Sequence, residues 1–164
     1  MIRSTFRLAP GIGPSVEARL WEAGITRWSD FPVTPEVAIS RALDERIRQA
    51  VARAEQALAA GDAEALARML PRAERWRLYA AFAAETAFLD IETDGDELTC
   101  VGVLDADGPR LFLRGRDLEE FPAAARAWKL LVTFNGQSFD LPALRRAFPG
   151  FRPPLSEDSG WCRG

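Results

Sequence analysis

Histidine is absent from all 164 residues. That removes Ser/His/Asp triads, Cys/His pairs and histidine-bearing zinc sites at a stroke. Lysine occurs once, at Lys129, so arginine supplies every other side-chain cation. Cysteine occurs twice, at Cys100 and Cys162, without metal-ligand or redox spacing. No disulfide framework is implied, which fits a reducing cytoplasm. No apolar run approaches membrane-spanning length, and the N-terminus, MIRSTFRLAPGIGP, holds no stretch suited to a signal peptide. The expectation is a cytoplasmic protein with no membrane partner. A strong positive charge is lacking too. The net charge is −3, and residues 86–164 carry 13 acidic against 9 basic side chains, so bulk electrostatics gives no mandate for nucleic acid.

What is present is enough apolar residue, 48%, to build a core. Three regions are expected: 1–34, 35–85 and 86–164. In the first, LAPGIGPSVEARLWEAGI opens on a glycine-punctuated turn. Pro14 suits a first helical position, Val16, Leu20 and Ala23 mark one helical face, and Gly24 suits a stop. A short helical piece follows around Trp28–Phe31. The second region reads as a long amphipathic helix from Pro35 to about Ala60. Gly61-Asp62 breaks it, a helix spans Ala63–Leu70, and another runs through RAERWRLYAAFA. From residue 86 the texture becomes strand-like: TAFLDI, LTCVGVL and RLFLR, separated by Asp94-Gly95 and Asp107-Gly108-Pro109, predict an antiparallel meander. DLEEFPAAARAW reads as a helix, KLLVTF as a strand buried on both faces, and LPALRRAF as a helix. The order is β-β-β-α-β-α behind an α-helical preamble, an α/β class.

Two constellations carry chemistry. In AFLDIETDGDE, residues 87–97, five acids crowd the end of a strand. A solvated turn is the commonest meaning of such a cluster. A calcium loop is excluded because the twelfth position is Val101 instead of the bidentate Glu. Strand alternation puts Asp90 and Glu92 on one face, their Cα atoms about 6–7 Å apart, with Leu89 and Ile91 on the other. Two like charges at a strand end call for a cation. Asp94, Asp96 and Glu97 read as the solvated turn. The second constellation is FNGQSFDLPAL, residues 134–144. Asn135-Gly136 makes a sharp turn, Phe139 anchors it, and Asp140 opens the next helix, either as its N-cap or as a third ligand beside Asp90 and Glu92.

FLDIET followed by TFNGQSFDLP resembles the first two motifs of the DEDD exonucleases on a ribonuclease H-like fold, with wording similar to the exonuclease domain of family B DNA polymerases. From PGIGP through LPRAERWRL to RRAFPG the chain resembles bacterial YprB-type ribonuclease H-like proteins. The resemblance implies a mixed sheet of that fold. It further implies Asp90, Glu92 and Asp140 as catalytic metal ligands for two Mg²⁺ or Mn²⁺ ions, with Thr93, Asn135, Gly136 and Phe139 at the substrate. The activity implied is 3′–5′ phosphodiester hydrolysis on nucleic acid, DNA favoured over RNA. Gly11-Ile12-Gly13 resembles a helix-hairpin-helix turn, in which Gly11 and Gly13 would offer backbone N–H groups to a phosphate; an ordinary tight turn is the alternative. The family pattern continues with a final Asp ligand preceded by His or Tyr, whereas this sequence runs FRPPLSEDSGWCRG. The expectation is therefore a C-terminally incomplete domain with impaired activity, or, as the alternative, a non-catalytic nucleic-acid-binding or scaffold protein that kept the fold. The oligomeric state stays open.

Overall fold

The computed structural model describes residues 1–31 and 39–158, with side chains described to Leu155. The chain divides into two compact units, Met1–Ala81 and Phe82–Gly164.

In the first unit, α1 (Pro14–Glu22) starts with Pro14 in its first turn and Gly13 as N-cap. Proline suits that position because its missing N–H would find no helical acceptor there. Leu20 is fully buried. Glu17 is buried as well, and it stays so because its carboxylate accepts from the Thr5 hydroxyl at 2.6 Å and from the Phe6 N–H at 2.7 Å. A buried acid without such donors would be costly. The long helix α2 (Arg41–Ala59) is capped by Ser40, whose side chain accepts from the Leu43 N–H, and buries Ile47, Ala50 and Ala54. The stretch 35–38 of the expected helix lies outside the described residues. Asp62 caps α3 (Ala63–Met69) in the same way.

The next expected helix is not α-helical. Residues Arg72–Ala81 form successive 3₁₀ turns, and Ala83–Glu85 forms another. Tertiary anchors replace the i→i−4 ladder: Glu74 is buried and bound by Arg7 and Arg77, and Arg75 donates to the Ala67 carbonyl. These contacts fix the segment where propensity alone favours an ordinary helix.

The second unit is a five-stranded mixed sheet of order β3-β2-β1-β4-β5, built from β1 (Thr86–Asp94), β2 (Glu97–Asp105), β3 (Gly108–Leu113), β4 (Leu130–Thr133) and β5 (Leu155–Asp158). The meander β1-β2-β3 is antiparallel, whereas β4 runs parallel to β1 and β5 parallel to β4. This is the α/β, ribonuclease H-like mixed sheet expected from the sequence, with β5 as an additional strand. The segment before β5, FRPP, carries no period-2 pattern, so nothing local announced it. β4 is short and interior, between β1 and β5, and Leu130, Leu131 and Thr133 are all buried.

The crossover expected as one helix is broken into a 3₁₀ turn at Leu118–Glu120, a single α turn, α4 (Phe121–Ala124), and a second 3₁₀ turn at Ala125–Ala127. Pro122 at its start removes an N–H that a continuing helix would need. The fragments nevertheless bury Leu118, Phe121 and Ala125 against Ala87, Leu89 and Ile91 of β1 and Val101 and Val103 of β2. Phe121 is the hub, with its ring 5.7 Å from Phe112, 6.1 Å from Trp128 and 5.5 Å from Phe151. The last helix, α5 (Asp140–Ala147), adds Leu141, Ala143 and Leu144 to the same core.

Candidate functional site

β1 alternates as its sequence demands. Ala87, Leu89 and Ile91 are buried in the core, while Phe88, Asp90 and Glu92 are exposed on the opposite face. Burial of the odd set fixes the register, because a one-residue slip would drive both carboxylates into the core. Immediately after Glu92 the ladder slips. Glu92 pairs with Cys100, but Thr93 pairs with Leu98, so Thr99 is the extra residue of a bulge. The Thr99 hydroxyl donates to the Glu92 carbonyl at 3.0 Å, pinning the strand where the second carboxylate leaves it. Bulges re-aim side chains at such positions, and neither composition nor alternation disclosed this one.

β4 ends at Thr133, which pairs with Leu89, so the chain leaves β4 one residue short of Asp90 in register. Asn135 then adopts φ +56°, a left-handed conformation that asparagine tolerates better than most residues. Gly136 is buried against Thr133. A Cβ at that position would lie 2.1 Å from Thr133 Oγ1 and 2.4 Å from its Cβ. Only glycine fits, and the reason is close approach. The turn closes with Ser138 N–H donating to the Asn135 carbonyl and Leu141 N–H donating to the Gly136 carbonyl at 2.8 Å. Phe139, 48% exposed, precedes α5, and Phe134, 72% exposed, leaves β4.

Asp140 is 2% exposed and is the first residue of α5, with Phe139 in the N-cap position and no side-chain cap bond. The N-cap alternative for Asp140 is therefore not the observed geometry. The parallel pairing brings the start of α5 to the same end of the sheet as Asp90 and Glu92, but the described side chains do not close into one cluster. Asp90 and Glu92 share an exposed face, whereas Asp140 is buried. Among the described residues no group of three or more His, Cys, Asp or Glu side chains is placed to hold a metal. The donor chemistry of Asp90 and Glu92, two hard carboxylates on one face, fits a single Mg²⁺- or Mn²⁺-type ion that shares a substrate phosphate. A two-ion centre built from all three carboxylates is not assembled. Thr93 sits half-buried after the bulge, and Asn135 is exposed on the turn.

At Cys100, opposite Glu92, partial burial, and then the neighbouring Glu92 carboxylate, push the thiol above the usual range.

At the N-terminus, Gly11 adopts φ +91° and is exposed, and Gly13 is half-buried. The Ile12 N–H already donates to the Ala9 carbonyl, and Arg46 donates to the Pro10 carbonyl at 3.3 Å. A 3₁₀ turn, Ile2–Ser4, stands before this glycine turn.

The mixed sheet of order 3-2-1-4-5 carries acidic residues where the parallel pair β1/β4 opens. Residues 87–158 match a family model described as RNase_H superfamily. That segment has a ribonuclease H-like fold. The match begins one residue inside β1 and closes with β5, so it spans the sheet and both constellations. Neither a curated protein nor a solved structure matches the chain. The ribonuclease H-like fold points to nuclease chemistry on nucleic acid, and nucleases of this superfamily generally use divalent metal ions. Among the described residues no helix is long and apolar enough to cross a membrane.

Proposed function

We propose that the chain is a metal-dependent 3′–5′ exonuclease of the DEDD, YprB-like type, acting on DNA in preference to RNA. The observation that carries the reading is the pair Asp90 and Glu92, both exposed on one face of β1 beside a bulge, at the sheet end where the NGQSFD turn emerges. In this reading the two carboxylates hold Mg²⁺ or Mn²⁺ together with a substrate phosphate. The ion, when bound, offsets phosphate charge and lowers the pKa of water. The protein's own part is to fix the two carboxylates against a rigid strand and to orient the nucleic-acid terminus. Phe139 offers an exposed ring to a base, and Thr93 and Asn135 flank it with polar groups. Gly136 allows the turn to lie on Thr133 and so sets where Phe139 and Asp140 emerge. Asp140 completes the ligand set once its carboxylate turns toward Asp90. Gly11 and Gly13 would add sequence-independent phosphate contacts through backbone N–H groups.

A second reading is favoured by one observation, the absence of a three-carboxylate group among the described residues: a nucleic-acid-binding or scaffold protein without hydrolytic activity. Metal linkage separates the two. An ion bound only by the folded state at 100 times its dissociation constant adds about 2.7 kcal/mol. The nuclease reading expects a Mn²⁺-dependent rise in melting temperature that Glu92→Gln removes. No rise at any Mn²⁺ concentration, with nucleic-acid binding retained, selects the scaffold.

A further inference from the structure

The ribonuclease H-like unit has a second polar feature, on the far end of α5. Phe148-Pro149-Gly150-Phe151 forms a β-turn in which the Phe151 N–H donates to the Phe148 carbonyl at 3.0 Å, with proline at its second position and Gly150 at φ +87°. This is type II chemistry, and the turn is correspondingly stiff. It folds Phe148 and Phe151 side by side, 6.4 Å apart, each against Phe121. Between this turn and the α4 segment runs a groove of 590 Å³ lined by Pro122, Ala125, Ala147 and the two half-buried rings. Arg126 stands on one wall and Arg152 on the other. Both are exposed, and neither has an ion-pair partner among the described residues. Among the described residues no acidic side chain lines the groove, in a half of the chain where acids outnumber bases.

We propose that this groove binds single-stranded nucleic acid, Arg126 and Arg152 meeting phosphates and the rings of Phe148 and Phe151 meeting a base. Arginine is suited to phosphate, and phenyl rings take any base, so the contact is indifferent to sequence. The eight residues of α5 put the groove about 12 Å along the helix from Asp140. Asp90 and Glu92 face the side of the sheet that α5 does not cover, so the groove is a secondary site, separate from the two carboxylates. The proposal rests on the nucleic-acid reading above.

Fluorescence anisotropy of a short labelled oligo-dT with the full chain, in EDTA, tests it without any cleavage. Arg126→Gln/Arg152→Gln is expected to weaken binding about tenfold or more and to lower the slope of log K against log salt by about 1.4. Arg53→Gln, at an exposed arginine of α2, controls for loss of a surface cation elsewhere and is expected to keep both. Circular dichroism establishes that each variant is folded. The proposal is overturned if the double variant binds like wild type or like Arg53→Gln, or if wild type binds no oligo-dT. It is also overturned if poly-glutamate displaces the label as well as unlabelled oligo-dT does, since an acidic peptide is then the occupant. Cleavage is read separately: loss of hydrolysis in Asp90→Asn beside unchanged binding in the double variant sinks the groove and leaves the nuclease reading standing.

Discussion

Gly136→Ala isolates the packing that sets the NGQSFD turn. The added methyl would meet three atoms of Thr133 at 2.1, 2.4 and 2.9 Å, all well inside van der Waals contact. Thr133 cannot move aside, because it is 2% exposed and its backbone lies in β4, between β1 and β5. The backbone conformation is not the obstacle, since Gly136 is not among the positive-φ residues. The effect is therefore overpacking. It is expected at the upper end of the usual range, about 3 kcal/mol, which lowers the melting temperature by roughly 6–12 °C. Urea unfolding followed by tryptophan fluorescence gives the midpoint, and an unchanged m-value confirms that stability alone has shifted. Gly102→Ala, in β2, is the control: a Cβ there lies 3.6 Å from its nearest neighbour, an ordinary van der Waals contact, so a change within about 0.5 kcal/mol is expected. Gly136→Ala with wild-type stability would refute the claim that this turn packs on Thr133, and with it the account of how Phe139 and Asp140 are positioned.

Asp105 shapes the acid response. Burial raises its carboxyl pKa, but hydrogen bonds from the Trp128 indole, the Asp107 N–H and Arg110 outweigh that and hold it below the usual carboxylate range. A depressed folded pKa gives stability that is present above the ordinary carboxylate value and lost as pH falls through the folded value. Asp105→Asn should flatten the acid limb of a stability-against-pH curve; an identical limb counts against the role. Glu17→Ala strips the buried Thr5 hydroxyl and Phe6 N–H of their acceptor. It should cost about 1–3 kcal/mol in chemical unfolding, with Glu17→Gln losing less because an acceptor remains. Equal losses would mean that the carboxylate charge, and not merely an acceptor oxygen, satisfies the two donors.

The strands were legible because their burial is periodic. Leu89 and Ile91 against Asp90 and Glu92 follow a strict alternation, and that alternation alone places the two carboxylates on one face. Pro14, Gly61-Asp62 and the Asn135-Gly136 turn were legible for the same kind of local reason: each residue type has a conformation that few others share. The failures lie where tertiary contacts override local preference. Arg72–Ala81 is rich in helix formers yet follows 3₁₀ turns anchored through Glu74. Pro122 is visible in the sequence, but how far the crossover breaks up depends on the packing of Phe121 and Ala125 beneath it. β5 was missed because Leu155–Asp158 is four residues long and gains its place only by pairing with β4. The bulge at Thr99 depends on a cross-strand count that no single segment carries. The third carboxylate shows the same limit: the spacing from FLDIET to NGQSFD brings Asp140 to the right end of the sheet, yet its burial is a matter of packing.

The most direct test of the account is cleavage of a 5′-labelled single-stranded oligonucleotide by the purified chain, with Mn²⁺ or with EDTA, compared between wild type, Asp90→Asn and Glu92→Gln. The account predicts Mn²⁺-dependent products shortened from the 3′ end. Both substitutions should reduce the rate by at least about a hundredfold, of the order expected when one electrostatic group at a reacting centre is removed. Wild-type rates in either variant, or undiminished cleavage in EDTA, would contradict it.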